Sequence, residues 1–133
     1  MIEDVVDDGL AELCGHCETL ALRAGDVLFR EDDDADAMYV VQSGSVRIIS
    51  GSTVYETVRA GGIVGEMAII DPEAPRSATV ICGSPAELLV IDTAKFLDLV
   101  AQSPAFALMV MRTITRRLRV MNRRYKGSGI TDA

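Results

Sequence analysis

Short apolar blocks alternate with turn residues through the first half of the chain. The blocks predict β-strands at Val27–Phe29, Met38–Val41, Val46–Ile49 and Val54–Val58. Ser43-Gly44 predicts a turn between the second and third of these strands. Strands that recur about every eight to ten residues, separated by glycine-containing turns, indicate a small sandwich or barrel.

The second half begins with strands and changes to helices. Two closing strands are predicted at Ala78–Ile81 and Glu87–Ile91, with Gly83-Ser84-Pro85 between them. Asp92-Thr93 predicts the N-cap of a helix from Ala94 to about Gln102, because a short polar side chain there accepts a hydrogen bond from a first-turn amide. The β pattern therefore closes with a helix.

A longer helix is predicted at about Ala105–Tyr125, after Ser103-Pro104, with proline in its first turn. One apolar series on it has alternating spacings of four and three residues, as in a coiled-coil seam. The series is Ala107, Met111, Ile114, Leu118, Met121 and Tyr125. It predicts homodimerisation through this helix, and the alternative is a helix that packs only on its own sandwich.

The stretch from Gly65 to Val80 carries the candidate binding chemistry. Gly65 leads into Glu66–Ile70, about one helical turn, whose first amides lack intrahelical partners and suit an anion. Arg76 offers a planar fork of donors that matches a phosphate. Glu66 is acceptor-only when ionised and suits ligand hydroxyls. A ligand with both a phosphate and a ribose hydroxyl would engage the two side chains; the alternative is a surface ion pair between them.

This stretch resembles the phosphate-binding cassette of the cyclic nucleotide-binding domain family, in which Gly-Glu-Leu-Ala is followed after a spacer by Arg-(Ala/Ser/Thr)-Ala. The resemblance implies that Glu66 takes the ribose 2′-hydroxyl, that Arg76 takes the cyclic phosphate, and that Ser77 adds a hydroxyl or an amide. Met67 stands where leucine is usual. The predicted ligand-binding residues are Val64, Gly65, Glu66, Met67, Ala68, Arg76, Ser77 and Ala78.

The phrases Leu22–Arg30 and Met38–Val46 are also similar to the leading strands of that family. The resemblance implies a mainly β fold, a double-stranded β-helix or jelly-roll β-barrel with a short N-terminal helix and C-terminal helices. One domain, residues 1–133, is then expected. Its parts are an N-terminal helical segment at 1–20, the β-roll at 21–92 with the cassette at 65–80, C-terminal helices at 93–126 and a flexible tail at 127–133.

The expected function is reversible binding of a cyclic nucleotide, with no catalytic residues, metal or cofactor besides that ligand. Ser77 fits both cAMP and cGMP members of the family, and cAMP is favoured because bacterial cAMP receptors carry Arg-Ser-Ala at this place. The resemblance implies that the last helix supplies the residue that caps the base and that this helix moves when ligand binds. Sequence alone does not name the capping residue.

Composition sets the class of protein. The chain has 133 residues, 49% of them apolar, which fits one globular domain. Its apolar runs are too short to span a bilayer and its first residues are acidic, so a cytoplasmic protein is expected. The formal net charge is −7, yet residues 112–133 hold seven basic side chains and one acidic side chain. The acidic body argues against nucleic acid binding there, while the basic helix is either a solvated flank or a surface for an acidic partner, a membrane or nucleic acid.

Cys14-Gly-His16-Cys17 suggests two other functions, thiol–disulfide exchange or, together with Cys82, a zinc site. Redox chemistry of that type needs a strand before the motif and a long helix that begins at it. Here Val5–Leu13 predicts a short amphipathic helix that ends near the motif. Ordinary packing of these thiols is the preferred interpretation.

No helix-turn-helix, kinase or channel segment is recognisable after the last helix, so we expect either an effector protein in trans or a chain that is one excised domain of a longer protein. The alternatives are the regulatory half of a transcription factor without its DNA-binding domain, and a pseudo-sensor that binds no ligand and uses the helix to dock.

Overall fold

A computed structural model describes residues 17–127, and for side-chain surroundings residues 17–123. Six strands precede and surround a one-turn helix, and two longer helices follow. The strands are β1 Glu18–Leu22, β2 Val27–Phe29, β3 Ala37–Ser50, β4 Thr53–Arg59, β5 Ile63–Val64 and β6 Thr79–Asp92. The helices are α1 Met67–Ile70, between β5 and β6, then α2 Thr93–Gln102 and α3 Pro104–Gly127.

The strands form an antiparallel sheet in the order β1-β6-β3-β4, with β2 paired to β6 and β5 paired to β3. The two 14-residue strands β3 and β6 make the central ladder, and β1 and β4 are its edges. This is the predicted jelly-roll class with flanking helices, although the hydrogen-bonded ladder of the described residues stays open. The chain folds so that β5 leads directly into α1 beside the central strands.

The predicted turn at Ser43-Gly44 is wrong, because β3 continues through it. Gly44 has a positive φ of 77°, and a Cβ there would lie 2.1 Å from the Pro85 carbonyl oxygen of the facing strand. The pairing of β3 with β6 shifts register on both sides of Gly44 and then resumes. The glycine therefore accommodates a bulge and a close backbone approach within one strand.

The predicted split of the closing strands at Gly83–Pro85 is wrong for the same reason, since β6 runs without interruption across it. The strand β1 was also missed, and Glu18–Leu20 belong to it rather than to a helical segment. In β1, Leu20 faces Leu88 of β6 and packs against one of the two cores. The strands at Val27–Phe29 and Val54–Val58 are confirmed within β2 and β4.

Two apolar clusters hold the sheet and the helices together. One lies between strands and includes Val41, Val46, Val58, Val64, Val80 and Leu88. The other joins the sheet to α2 and α3 and includes Met38, Val40, Ile63, Ile91, Leu99, Phe106 and Val110. Because α3 contributes to the second cluster only from its first turns, the rest of this helix is held by other contacts.

The helix boundaries after the sheet follow the predicted capping. Asp92 is the N-cap of α2, where its carboxylate accepts a hydrogen bond from the Lys95 amide at 2.9 Å. α3 begins at Pro104, as predicted. Exposure varies along its predicted seam: Ile114 packs against the molecule's own core, whereas the side chains of Met111 and Leu118 are each 56% exposed, and homodimerisation stays a prediction.

Several predictions fall outside the described residues, namely the helix at Val5–Leu13, Cys14, His16 and the tail after Gly127. Cys17 packs against the second core cluster, and Cys82 is buried with its thiol 2.8 Å from the Ser84 carbonyl oxygen. Within residues 17–127, no group of His, Cys, Asp and Glu side chains is arranged to hold a metal. In the same part of the chain, no single helix has the length and apolar character for a membrane crossing; α2 and α3 reach it only as a pair bent by 118°.

Candidate ligand-binding site

The site is built on the turn that joins β5 to α1. Gly65 has a positive φ of 75°, a conformation that glycine adopts without steric cost. A Cβ at this position would meet Nη1 of Arg76 at 2.7 Å and the Phe29 ring at 3.3 Å. Gly65 is therefore required both for the turn and for the close approach of the arginine.

The amides of α1 are only partly available to a ligand. The Ala68 amide donates to the Gly65 carbonyl oxygen at 3.2 Å, and the Ile69 amide donates to the Glu66 carbonyl oxygen at 3.1 Å. The sequence predicted unpartnered first-turn amides, and two of them are used within the turn itself. An anion at this site therefore depends mainly on the arginine.

Arg76 lies buried between two strands, with 5% of its surface exposed. Its Nη2 donates to the Ala37 carbonyl oxygen at 2.8 Å, and Nη1 donates to the Gly65 carbonyl oxygen at 3.3 Å. The guanidinium carbon lies 4.0 Å from the centre of the Phe29 ring, a cation–π contact. These contacts fix the plane of the guanidinium group without neutralising its charge.

Arg76 has no carboxylate within ion-pair distance among residues 17–127, and its Nε–H has no hydrogen-bond acceptor in that part of the chain. Burial lowers the pKa of Arg76, while Tyr39, Asp36, Asp33 and Glu66 act at longer range in the opposite direction. A buried cation without a paired charge is costly unless something else supplies the charge. An anion bound beside Arg76 would supply the missing opposite charge.

Glu66 is the N-cap residue of α1, and its side chain is 8% exposed. One of its carboxylate oxygens, Oε1, accepts a hydrogen bond from Nη1 of Arg117 at 2.7 Å. Arg117 belongs to α3, so the last helix reaches the site through this ion pair. Glu66 and Arg76 do not form an ion pair with each other, which excludes the alternative interpretation of the two as a surface pair.

Arg117 is held by a second carboxylate, that of Glu56 on β4. Its Nε donates to Glu56 Oε1 at 2.9 Å, and its Nη2 donates to the Ile63 carbonyl oxygen at 2.7 Å. Arg116, 61% exposed, also reaches Glu56 at 3.0 Å. Burial disfavours the charge of Arg117, but Glu66 and Glu56 outweigh that effect and raise its pKa.

One cavity contains most of the predicted site. Gly65, Glu66, Met67, Ala68, Arg76, Ser77 and Ala78 all line it, whereas Val64 is buried in the strand core and does not. The cavity is also lined by residues that sequence reasoning did not name: Phe29, Ala35, Ile48, Pro75, Val80 and Arg117. The site thus combines a buried cation, a buried carboxylate and an apolar wall.

Arg117 could have been recognised from its position on the helix. Phe106, Val110 and Ile114 mark the face of α3 that packs on the sheet, and Arg117 follows near the same face. An arginine on a buried face requires acceptors. The sequence does not say which ones, because Glu56 and Glu66 lie 61 and 51 residues away.

The described site therefore combines a jelly-roll fold with a buried arginine and a buried glutamate around one cavity, features that suit a small anionic ligand with hydroxyl groups. Residues 19–103 match the family model of the cyclic nucleotide-binding domain. The chain belongs to the cyclic nucleotide-binding domain family.

Two relatives are similar to most of this chain. The Pycsar effector protein BcPycTIR of Burkholderia cepacia is 29% identical over 113 residues, which is 84% of this chain and 37% of that protein. The cyclic nucleotide-gated potassium channel mll3241 of Mesorhizobium japonicum is 33% identical over 108 residues, 81% of this chain and 30% of that protein. The chain therefore spans about a third of the length of either relative.

Among solved structures, the c-di-GMP responsive global regulator CLP of Xanthomonas campestris has the same fold. It superposes with a TM-score of 0.80 at 24% identity and covers 95% of this chain and 66% of that chain. The likeness extends beyond the family match into α3, so the helix that carries Arg117 belongs to the shared architecture.

Proposed function

We propose that this protein is a reversible receptor for a cyclic nucleotide, with cAMP favoured over cGMP, and that it performs no chemistry of its own. The observation that carries the proposal is Arg76, a buried cation without an ion-pair partner in the described chain, at the wall of a cavity that also exposes Glu66. A cyclic phosphate carries a single negative charge and would be the ion-pair partner that Arg76 does not have within the described chain.

The separation of roles follows from the two side chains. Arg76 and the exposed Ser77 take the phosphate, because both offer donors at the same wall of the cavity. Glu66 takes the ribose 2′-hydroxyl, because an ionised carboxylate only accepts hydrogen bonds. Phe29 and Ile48 provide apolar surface beside them. No metal or further cofactor enters this proposal.

Calorimetric titration of the protein, stripped of carried-over ligand, with cAMP, cGMP and 5′-AMP tests the function. We expect a dissociation constant in the micromolar range or below for cAMP, weaker binding of cGMP, and no binding of 5′-AMP, whose dianionic phosphate is not tied back to the ribose. Folded protein that gives no heat with either cyclic nucleotide would refute the proposal and favour a pseudo-sensor. Because CLP is described as responsive to c-di-GMP, that compound is included as a further competitor.

The signal is proposed to leave the pocket through α3, which contacts Glu66 directly. A ligand that changes the hydrogen bonding of Glu66 changes the free energy with which α3 is docked, and the linkage is reciprocal. An effector protein in trans is the proposed recipient. The alternative, the regulatory half of a transcription factor, predicts natural forms in which a DNA-binding segment follows residue 133. The predicted cytoplasmic location remains a prediction.

We further propose that α3 mediates homodimerisation, because its outward side carries a row of exposed apolar side chains. These are Leu108, Met111, Leu118 and Met121, with 40%, 56%, 56% and 54% of their surface exposed. Large exposed apolar patches mark interaction surfaces. Leu118→Glu is expected to convert a dimer to a monomer in sedimentation velocity, since it places two like charges at a symmetric seam.

Val54→Glu is the matched control for dimerisation, because Val54 is an exposed apolar residue of β4 with 47% of its surface accessible. It should leave the sedimentation coefficient unchanged. A parent protein that sediments as a monomer at all concentrations tested would contradict the dimer and favour a helix that packs only on its own sheet.

A further inference from the structure

The donors of Arg117 are divided among acceptors from three parts of the fold. Nη1 bonds Glu66 Oε1, Nε bonds Glu56 Oε1, and Nη2 bonds the Ile63 carbonyl oxygen, at 2.7, 2.9 and 2.7 Å. Nη2 also approaches Glu56 Oε2 at 3.4 Å. A guanidinium group is planar, so the two bonds on the Glu56 and Ile63 side fix the direction in which Nη1 points.

This division leaves part of Glu66 available. Only Oε1 of Glu66 bonds to Arg117, and Oε2 has no hydrogen bond to any residue of the described chain. A carboxylate has about four lone-pair positions, so Glu66 can hold Arg117 and a ligand hydroxyl together. If Arg117 turned its whole fork toward Glu66, both oxygens would be taken, because arginine and carboxylate groups readily pair through two parallel bonds.

Glu56 contributes to the restraint that opposes this bidentate pairing. Its carboxylate lies along the edge of the guanidinium group formed by Nε and Nη2, at 2.9 and 3.4 Å, and the Ile63 carbonyl oxygen accepts from Nη2 at 2.7 Å, so only Nη1 is directed at Glu66. Glu56 is absent from the cavity wall, although Ile48, its partner across the β3–β4 ladder, lines the cavity. The hydrogen-bonded route from Glu56 to a ligand runs through Arg117 and Glu66.

We propose that Glu56 is a positioning residue for the hydroxyl-binding carboxylate: it restrains Arg117 so that one oxygen of Glu66 stays free for the ribose 2′-hydroxyl. The proposal rests on the proposed function, since it concerns the same pocket. It makes β4 and α3 joint determinants of the preference for a ribose over a 2′-deoxyribose ligand, although Glu56 does not touch the ligand.

The test is the ratio of the dissociation constants for 2′-deoxy-cAMP and cAMP, measured by calorimetry in a double-mutant cycle. The parent is expected to prefer cAMP about ten- to hundredfold, the range of a hydrogen bond to a charged group. Glu66→Gln should reduce this preference to a few-fold. Glu56→Gln should reduce it by about tenfold, and in the Glu66→Gln background it should have no further effect. Arg117→Gln removes the side chain through which Glu56 acts, so in this background Glu56→Gln should no longer change the preference.

Arg116→Gln is the matched control, because this neighbouring arginine bonds the same Glu56 but does not reach Glu66. Its preference for cAMP should stay within about twofold of the parent. A Glu56→Gln variant that weakens both ligands equally would overturn the inference, since Glu56 would then be merely structural. A parent that binds both ligands equally would overturn it as well, while cyclic nucleotide binding would stand. A parent that binds neither would overturn the proposed function and this inference together.

Discussion

Replacing Arg76 by methionine is expected to weaken cyclic nucleotide binding by about thirty- to several thousand-fold. The phosphate would enter a buried site without its counter-charge, and losing one partner of a buried charge pair costs about 2–5 kcal/mol. Calorimetry with cAMP measures the effect. Methionine keeps an unbranched side chain, so the change removes the charge, the hydrogen bonds and the cation–π contact with Phe29 more than volume.

The ligand-free protein should respond very differently to the same substitution. The substitution removes the hydrogen bonds that Arg76 donates to the Ala37 and Gly65 carbonyl oxygens. It also removes the desolvation cost of an unpaired buried cation. We therefore expect the free energy of unfolding without ligand to stay within about 1 kcal/mol of the parent. With cAMP at a hundred times the parent's dissociation constant, the parent should gain about 2.7 kcal/mol and the variant nothing.

Arg47→Met is the control for Arg76→Met, since Arg47 is an exposed arginine on the central strand β3. It should leave both affinity and stability unchanged. If the Arg76 variant bound cAMP as tightly as the parent, the assignment of Arg76 to the phosphate would be wrong.

The parts of this molecule that the sequence predicts are those in which cause and effect lie within a few residues. The one-turn helix α1 follows Gly65 because the glycine adopts the positive φ that the turn requires. The helix α2 begins at Thr93 because the carboxylate of the N-cap residue Asp92 accepts a hydrogen bond from the amide three residues on. The cassette residues meet at one cavity because the segment that carries them is short.

The long strands could not be predicted by the same reasoning. Gly44 and Gly83–Pro85 have the local chemistry of turns, yet both lie inside paired strands. What decides the matter is the facing strand: the Gly44 position leaves no space for a Cβ against Pro85, about forty residues away. A turn residue in a bulge and a turn residue in a hairpin have the same sequence signature.

The connection between the helix and the pocket was hidden for a related reason. Arg117 is one of seven basic residues near the end of the chain, and by charge alone it resembles its exposed neighbours. Arg117 differs from Arg116 and Arg119 in that its side chain is partly buried, whereas theirs are exposed. The two carboxylates that receive it come from β4 and from the cassette, so the site is assembled from three distant segments.

Replacing Phe106 by alanine is expected to lower the free energy of unfolding by about 3–5 kcal/mol, the cost of removing a fully buried aromatic ring and leaving a cavity. Phe106 is 0% exposed and lies in the cluster that joins α2 and α3 to the sheet, with its ring 5.7 Å from that of Phe96. For a domain of this size, the midpoint of thermal unfolding should fall on the order of 10–20 °C. Leu97→Ala, on α2 but 62% exposed, should change the free energy of unfolding by about 0.5 kcal/mol or less.

The Phe106 variant also separates the two attachments of α3. Phe106 holds the start of the helix by apolar contact, and Arg117 holds it three turns further on by ion pairs with Glu56 and Glu66. Because a ligand that binds only the folded state stabilises it by mass action, cAMP should restore part of the stability lost in Phe106→Ala, by an amount that grows with ligand concentration. A loss of less than about 1 kcal/mol in Phe106→Ala would show that α3 does not depend on this core contact, and the ion pairs of Arg117 would then be its main attachment.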